Sequence, residues 1–311
     1  MTLAKAVAAY VVSKQSMGMR FATEARTLKS FCQSIGDVDI GQIEAKQVRA
    51  YLDGDGPVTR FWHRKLDALR GFYRFAVTRG YVTGSPLPTT VPQLPPPFVP
   101  YIYSRDEVRR LIEATTTREH RNLSVLTCRT LLLLLYASGL RIGEALGLDM
   151  ADVDLATGLL CIRESKFYKT RLVPIGPDLL TVLATYATQR NRQPPATPEA
   201  PFLLTRCGKR PSRAAAEDVF KHLREIAQVR REDSCRYQPR LHDFRHSFAV
   251  TCLIRWYRNG EDVQRLLPQL ATYLGHVHIA GTQRYLSMTP ELLREASSRF
   301  ERYAMGGDDH A

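Results

Sequence analysis

Five residues in the C-terminal half of this chain have the right types to attack a phosphodiester without help from a metal: Arg141, His242, Arg245, His276 and Tyr285. Arginine presents a planar, permanently charged fork that matches phosphate oxygens. A tyrosine oxygen can act as a nucleophile and hold the phosphate as a covalent ester. Histidine titrates near neutral pH, so each imidazole can donate to an oxygen or take a proton. No Cys-x-x-Cys pair occurs and no zinc-ligand spacing is present, so neither a metal nor a cofactor is expected.

These side chains need elements to hold them. Arg141 lies in Tyr136-Ala-Ser-Gly-Leu-Arg-Ile-Gly-Glu144, at the end of an apolar run that reads as a helix over 126–138. His242 and Arg245 are three apart, on one face at the start of a helix predicted over 244–258. A further helix over 262–273 leads into Leu-Gly-His276, and Thr-Gln-Arg-Tyr285 places the tyrosine nine residues later. Leu159–Ser165 and Arg171–Ile175 read as two strands of a hairpin bracketing Lys166-Phe-Tyr-Lys169. Ser104-Arg-Asp-Glu107 is a capping box that opens a helix through Ala114. Helices over 178–191, 213–229 and 289–303 complete a region that is mainly α with a small β-sheet, an α+β class.

The first hundred residues are organised differently. Helices are expected over 1–25, 26–35, 43–53 and 61–79, which makes a small all-α domain. On the last of them, Trp62, Leu66, Leu69, Tyr73, Ala76 and Val77 form the apolar side. His63, Arg64, Lys65, Arg70 and Arg74 form a basic remainder, either a solvated face or a DNA contact. Residues 86–100 hold seven prolines, which remove N–H donors and fix φ, so a stiff extended linker is expected rather than helix or central strand. An SH3-type ligand is the alternative for this stretch. The expected division is therefore 1–85, a linker at 86–100, 101–303, and a short tail at 304–311.

Composition narrows the partners. Lys and Arg outnumber Asp and Glu by 44 to 31, giving +13, and an excess of that size makes a polyanion the default partner. Apolar residues at 44% suffice for ordinary cores, which argues against global disorder. Six unpaired cysteines, several inside apolar runs, fit buried thiols in a reducing cytoplasm. The apolar run Leu131–Ala137 is far short of the roughly 20 residues needed to span a bilayer, so no membrane association is expected.

At the residues quoted above the chain resembles the tyrosine recombinases, the phage integrase family. The resemblance covers 101–303 and, more loosely, the helical region before it, which would be a SAM-like core-binding domain that grips DNA. It implies that Arg141, His242, Arg245 and His276 surround the scissile phosphate and that Tyr285 attacks it. It also implies a catalytic lysine on the hairpin, which the register on Arg-Leu-Val-Pro174 assigns to Lys166, with Lys169 as a basic neighbour. Glu144 would orient its neighbours. The expected product is a 3′-phosphotyrosyl bond to double-stranded DNA, formed without a small-molecule cofactor. Four protomers, identical or mixed with related recombinases, would exchange strands through a Holliday junction. The stretch between Asp262 and His276 is about four residues longer than in resolvase-like members, a form found in recombinases carried by transposons. Two other readings stay open: a type IB topoisomerase that nicks one duplex, and an inactive DNA-binding accessory protein. Leu292, Leu293, Ala296 and Phe300 form a stripe on the last helix, suited either to a neighbouring protomer or to its own domain.

Overall fold

The run of five leucines from Leu131 to Leu135 leaves no polar face on its helix, and such a helix must be surrounded by protein. The computed structural model describes residues 1–311 apart from 96–98, 118–121, 164–169, 191–196, 234, 236, 277, 288–289 and 306–311. The chain divides into two compact units, Met1–Phe98 and Val99–Ala311, and the leucine helix lies in the second.

The first unit holds α1 (Leu3–Ser16), α2 (Ala22–Ile35), α3 (Ala45–Asp53) and α4 (Arg60–Thr78). Thr2 and Thr59 cap α1 and α4 through their hydroxyls, and Glu44 with Gln47 forms a capping box on α3. The core gathers around Leu28, Phe31, Leu66, Leu69 and Phe72. Burial of such side chains stabilises by roughly 1.5–3 kcal/mol each. The break expected after residue 25 falls instead at 17–21, because Gly18 at φ 77° and Phe21 at φ 43° turn the chain there. On α4, Arg60, Arg64, Arg70 and Arg74 are exposed, but Lys65 does not belong to that face. Its Nζ donates to the carbonyls of Tyr51 and Leu52 at 2.7 and 3.2 Å, at the end of α3 where the helix dipole favours a cation. His63 is half-buried too, edge-on to Trp62.

The second unit begins with α5 (Arg105–Thr117), opened by the Ser104–Glu107 capping box, followed by α6 (Val125–Ser138) and α7 (Ile142–Gly147). Three antiparallel strands come next in the order β1 (Val153–Asp154), β2 (Leu159–Ile162) and β3 (Arg171–Pro174). The β2–β3 ladder runs from Leu159 opposite Pro174 to Ile162 opposite Arg171. These strands are shorter than the sequence suggested, and Lys166 and Lys169 lie outside the described residues. The rest is α8 (Pro177–Arg190), α9 (Arg213–Ile226), α10 (Asp243–Arg258), α11 (Val263–Leu274), α12 (Ala280–Gln283), a 3-10 turn over Arg284–Ser287, and α13 (Pro290–Met305). The fold is therefore mainly α with a small sheet.

Helix α10 faces two cores. Phe244 stacks on Tyr103 at 4.5 Å within the larger core, built on α5, α6, α8, α9 and the sheet. Ala249, Val250 and Leu253 pack instead with α11, Tyr285 and Leu292. The stripe expected on α13 is split: Leu292 is buried in that smaller core, whereas Leu293 and Phe300 are 51% and 70% exposed. Arg258 pairs with Glu291 and Glu295 at 2.7 Å and ties α13 to α10. All six cysteines are free, but only Cys128 is buried and Cys207 is exposed, so the expected buried thiols reduce to one. Among the described residues, no helix is long and apolar enough to cross a membrane.

Candidate active site

Two helices end in glycine beside the same arginine. Gly139 closes α6 at φ 61° and Gly275 closes α11 at φ 67°, the left-handed conformation that glycine adopts without penalty. The freed carbonyls carry the negative end of each helix dipole. Arg245, 1% exposed on the first turn of α10, donates from Nη1 to Gly139 O at 2.9 Å and from Nη2 to Leu274 O. A third contact goes from Arg245 to the Tyr285 hydroxyl. Burial and the charge of Arg141 bring the Arg245 pKa down to about 10, which still leaves it protonated at neutral pH.

The turn at Gly139 lets Arg141 become the N-cap of α7. Its backbone N–H donates to Glu144 Oε2 at 3.0 Å, its Nη1 to Oε1 at 2.6 Å, and its Nη2 to Gly275 O at 3.0 Å. The same carboxylate accepts from Arg171 Nη1 and Nη2 at 3.1 and 2.8 Å. Burial would push the Glu144 carboxyl up, but the donors from Arg171 and the Arg141 backbone, with both cationic charges, outweigh it and bring it to about 2. Arg171 Nε also donates to Tyr273 O at 2.9 Å. The guanidinium passes so close to Gly275 that a Cβ there would stand 2.8 Å from Nη1.

His242 is the residue before α10, and His246 follows one turn later on the same face. Their rings meet edge-to-face at 5.0 Å, and His246 lies 5.5 Å from the Tyr285 ring. His276 makes the other aromatic contact of Tyr285, stacked at 6.1 Å, with its Nδ1 paired to Thr282 Oγ1 at 2.7 Å and Gly281 against its ring. Burial, reinforced by the surrounding arginines, depresses His242 and His276 to about 4. Burial and the neighbouring His242 bring His246 to about 3. The sequence suggested imidazoles titrating near neutrality; in the folded chain all three are neutral at pH 7. Tyr285 itself is 2% exposed. Burial raises its phenol pKa, while Arg245 and Arg284 pull it back.

Arg141, His242, Arg245, His276 and Tyr285 are thus brought to one place by α6, α7, α10, α11 and the 3-10 turn. Tyr273 takes another part: its hydroxyl donates to Pro174 O at 3.3 Å and its ring stacks on Phe248, so it props β3 against α11. Three residues of the cluster were not read from the sequence as site residues: Arg171, His246 and Thr282. Arg171 belongs to the Arg-Leu-Val-Pro stretch used to register the hairpin, and His246 directly follows Arg245, so both lay within motifs already singled out. The arrangement offers two guanidinium groups, neutral imidazoles and a phenol around one point, which suits transfer of a phosphoryl group to the phenol oxygen.

Comparison with known proteins agrees with this chemistry. The chain is 36% identical over 308 residues to a Sinorhizobium fredii protein named integrase/recombinase y4rB, covering 97% of this chain and 98% of that one. It is 32% identical over 233 residues to the tyrosine recombinase XerC of Pelobacter propionicus, covering 75% and 70% of the two chains. The fold is shared with the Tn1549 transposon integrase, solved in complex with transposon right end DNA, at a TM-score of 0.71 and 15% identity over 98% of this chain and 100% of that one. The profile of the phage integrase family matches residues 102–291, and the chain belongs to that family, the tyrosine recombinases.

Proposed function

We propose that this protein cleaves and rejoins DNA strands at specific sites, with Tyr285 as the nucleophile. The observation that carries the reading is the contact from Arg245 to the Tyr285 hydroxyl, with Arg141 facing the same point through Gly275 and Glu144. A guanidinium has five N–H donors. Arg245 spends two on carbonyls and one on Tyr285, so donors remain for a non-bridging phosphate oxygen.

As Tyr285 attacks phosphorus, charge builds on the non-bridging oxygens. Arg141 and Arg245 meet it, with His276 and His242 as neutral hydrogen-bond donors. The 3′ phosphate stays on the tyrosine and the 5′ oxygen leaves, taking its proton from Lys166 on the hairpin. A hydroxyl from another strand then displaces the tyrosine, and no ATP is needed because the ester keeps the phosphodiester bond energy. The exposed arginines of α4 contact backbone phosphates and add affinity without reading sequence. The exposed Leu293 and Phe300 of α13 support docking of this helix on a neighbouring protomer in a tetramer on DNA. The resemblance to y4rB and to a transposon integrase supports a mobile element as the DNA that is moved.

The test is a suicide substrate whose 5′-hydroxyl fragment diffuses away after cleavage. The wild-type chain should accumulate a covalent adduct, and Tyr285→Phe should bind the same DNA within about 2-fold yet form none. An adduct of undiminished yield with Tyr285→Phe would point to another nucleophile.

A further inference from the structure

The phenol oxygen of Tyr285 accepts from Arg245, so its own hydrogen must find another acceptor. His276 is engaged otherwise: its Nδ1 pairs with Thr282, and with that nitrogen accepting from the hydroxyl its Nε2 carries the hydrogen offered to the phosphate. His246 is not: its ring is 7% exposed and lies against Tyr285, yet its Nδ1 is buried with no hydrogen-bond partner. Buried polar atoms of folded chains are nearly always paired, and an unpaired one beside a reacting group calls for a function. We propose that His246 Nδ1 takes the hydroxyl proton of Tyr285 during attack, an inference that rests on the reading of Tyr285 as nucleophile.

The step balances as follows. The Tyr285 O–H bond breaks as the O–P bond forms, and the proton settles on His246 Nδ1. The P–O5′ bond breaks, and the leaving oxygen is protonated from the hairpin side. On rejoining, the incoming hydroxyl gives its proton back to the hairpin side as it takes the tyrosine's place at phosphorus, and His246 returns its proton to Tyr285. The groups facing His246 are Arg245 on α10, His242 and Arg240 just before it, and Arg284 and Tyr285 on the 3-10 turn. With burial they keep the imidazole neutral at pH 7, so the acceptor lone pair is available. A phosphodiester entering among these cations offsets their charge and makes His246 a stronger base when it is needed. His242, edge-on at 5.0 Å, stays neutral and does not oppose the new charge as a second cation would.

Two substitutions separate this role from packing. His246→Phe keeps a ring against Tyr285 and removes both nitrogens. His246→Asn gives up the ring and keeps a polar atom near the Nδ1 position. Single-turnover adduct formation on suicide DNA is measured from pH 6 to 9.5, with DNA affinity as the control for folding. His246→Phe is expected to bind normally, to cleave at least about 10²-fold more slowly at pH 7, and to recover with rising pH as hydroxide ionises the phenol. His246→Asn, whose amide can accept a hydrogen bond but cannot hold the proton, should show the same slow cleavage at pH 7 and the same recovery with rising pH. Wild-type rates with His246→Phe, or an equal loss at every pH, would reduce His246 to a packing residue and overturn the proposal. If the Phe variant fails to bind DNA, the Asn variant decides: a loss at pH 7 that recovers with rising pH supports the proposal, and wild-type activity or a pH-independent loss with binding intact overturns it. Tyr285→Phe is carried alongside, since an adduct formed without that oxygen would instead remove the nucleophile reading.

Discussion

Glu144 takes both ends of the Arg171 guanidinium, at 2.8 and 3.1 Å, while also holding the backbone and side chain of Arg141. One carboxylate thereby joins the base of the hairpin to Arg141, an arginine proposed to hold the phosphate. The Arg171–Glu144 pair is about nine-tenths buried on both sides. Breaking a pair of this kind strands a buried charge and costs about 3–5 kcal/mol. Glu144→Gln should therefore lower stability by that order in urea denaturation and slow adduct formation by up to about 10²-fold, the effect of misplacing one fixed donor. Arg171→Lys should reproduce neither wild-type property, because an ammonium cannot make the two parallel bonds. Wild-type stability and rate in the Arg171→Lys variant would contradict this.

Gly275 offers a sharper probe of the same junction. It combines φ 67° with an approach in which a Cβ would stand 2.8 Å from Arg171 Nη1. Gly275→Ala should cost about 1–3 kcal/mol through the strained backbone and the displaced guanidinium. Gly143→Ala, within α7 and with nothing inside 4 Å of its Cβ, should instead stabilise by up to about 1 kcal/mol. Paired melting curves measure both, and a harmless Gly275→Ala would mean that Arg171 has room to move.

Acid should loosen the protein before most of its carboxylates titrate. His242 and His246 have folded pKa values of about 4 and 3, below the ordinary value of 6.5. The unfolded chain binds these protons first, so stability is complete above about pH 6.5 and falls as pH drops toward 4. Each histidine contributes up to about 1.4 kcal/mol per pH unit in that window. Glu144, with its folded value of about 2, contributes stability that is lost only below about pH 4.5. Urea denaturation of the full chain at pH 7, 6 and 5 should show the decline, and His246→Phe should flatten it. Equal midpoints at the three pH values would contradict neutral buried histidines.

The hairpin lysines can be told apart by the leaving group. Lys166→Ala should slow cleavage of ordinary DNA severely and do far less to a substrate with sulfur at the bridging 5′ position, since a thiolate leaves without a proton. Lys169→Ala should lose affinity and show no selective rescue. Rescue of the Lys169 variant alone would reverse the hairpin register.

What the sequence made legible follows the range of the interactions. His242 and Arg245 could be placed because their relation is local, three residues along one helix face. The apolar period of α4 announced its helix for the same reason. Helix α7 and strand β1, of six and two residues, are too short to carry a period and were not anticipated. Arg171 passed as a hairpin marker because its partners lie 27 and 102 positions away. His246 was hidden similarly: its contact with Tyr285 spans 39 positions and is made only when the 3-10 turn folds back onto α10. Lys65 looked like part of a basic stripe until the end of α3 was found to occupy it.

The burial of Tyr285 bears on timing as much as on chemistry. With Tyr285 as the proposed nucleophile, a phosphate ester on a side chain with 2% of its surface exposed would be screened from bulk water. Hydrolysis would discard the bond energy and leave a broken strand, whereas a strand end held against phosphorus by base pairing needs no diffusion to reach it. On that proposal the recess around Tyr285 would act as a kinetic filter: it would lengthen the life of the linked state until the right hydroxyl arrives, and let position rather than concentration choose the acceptor.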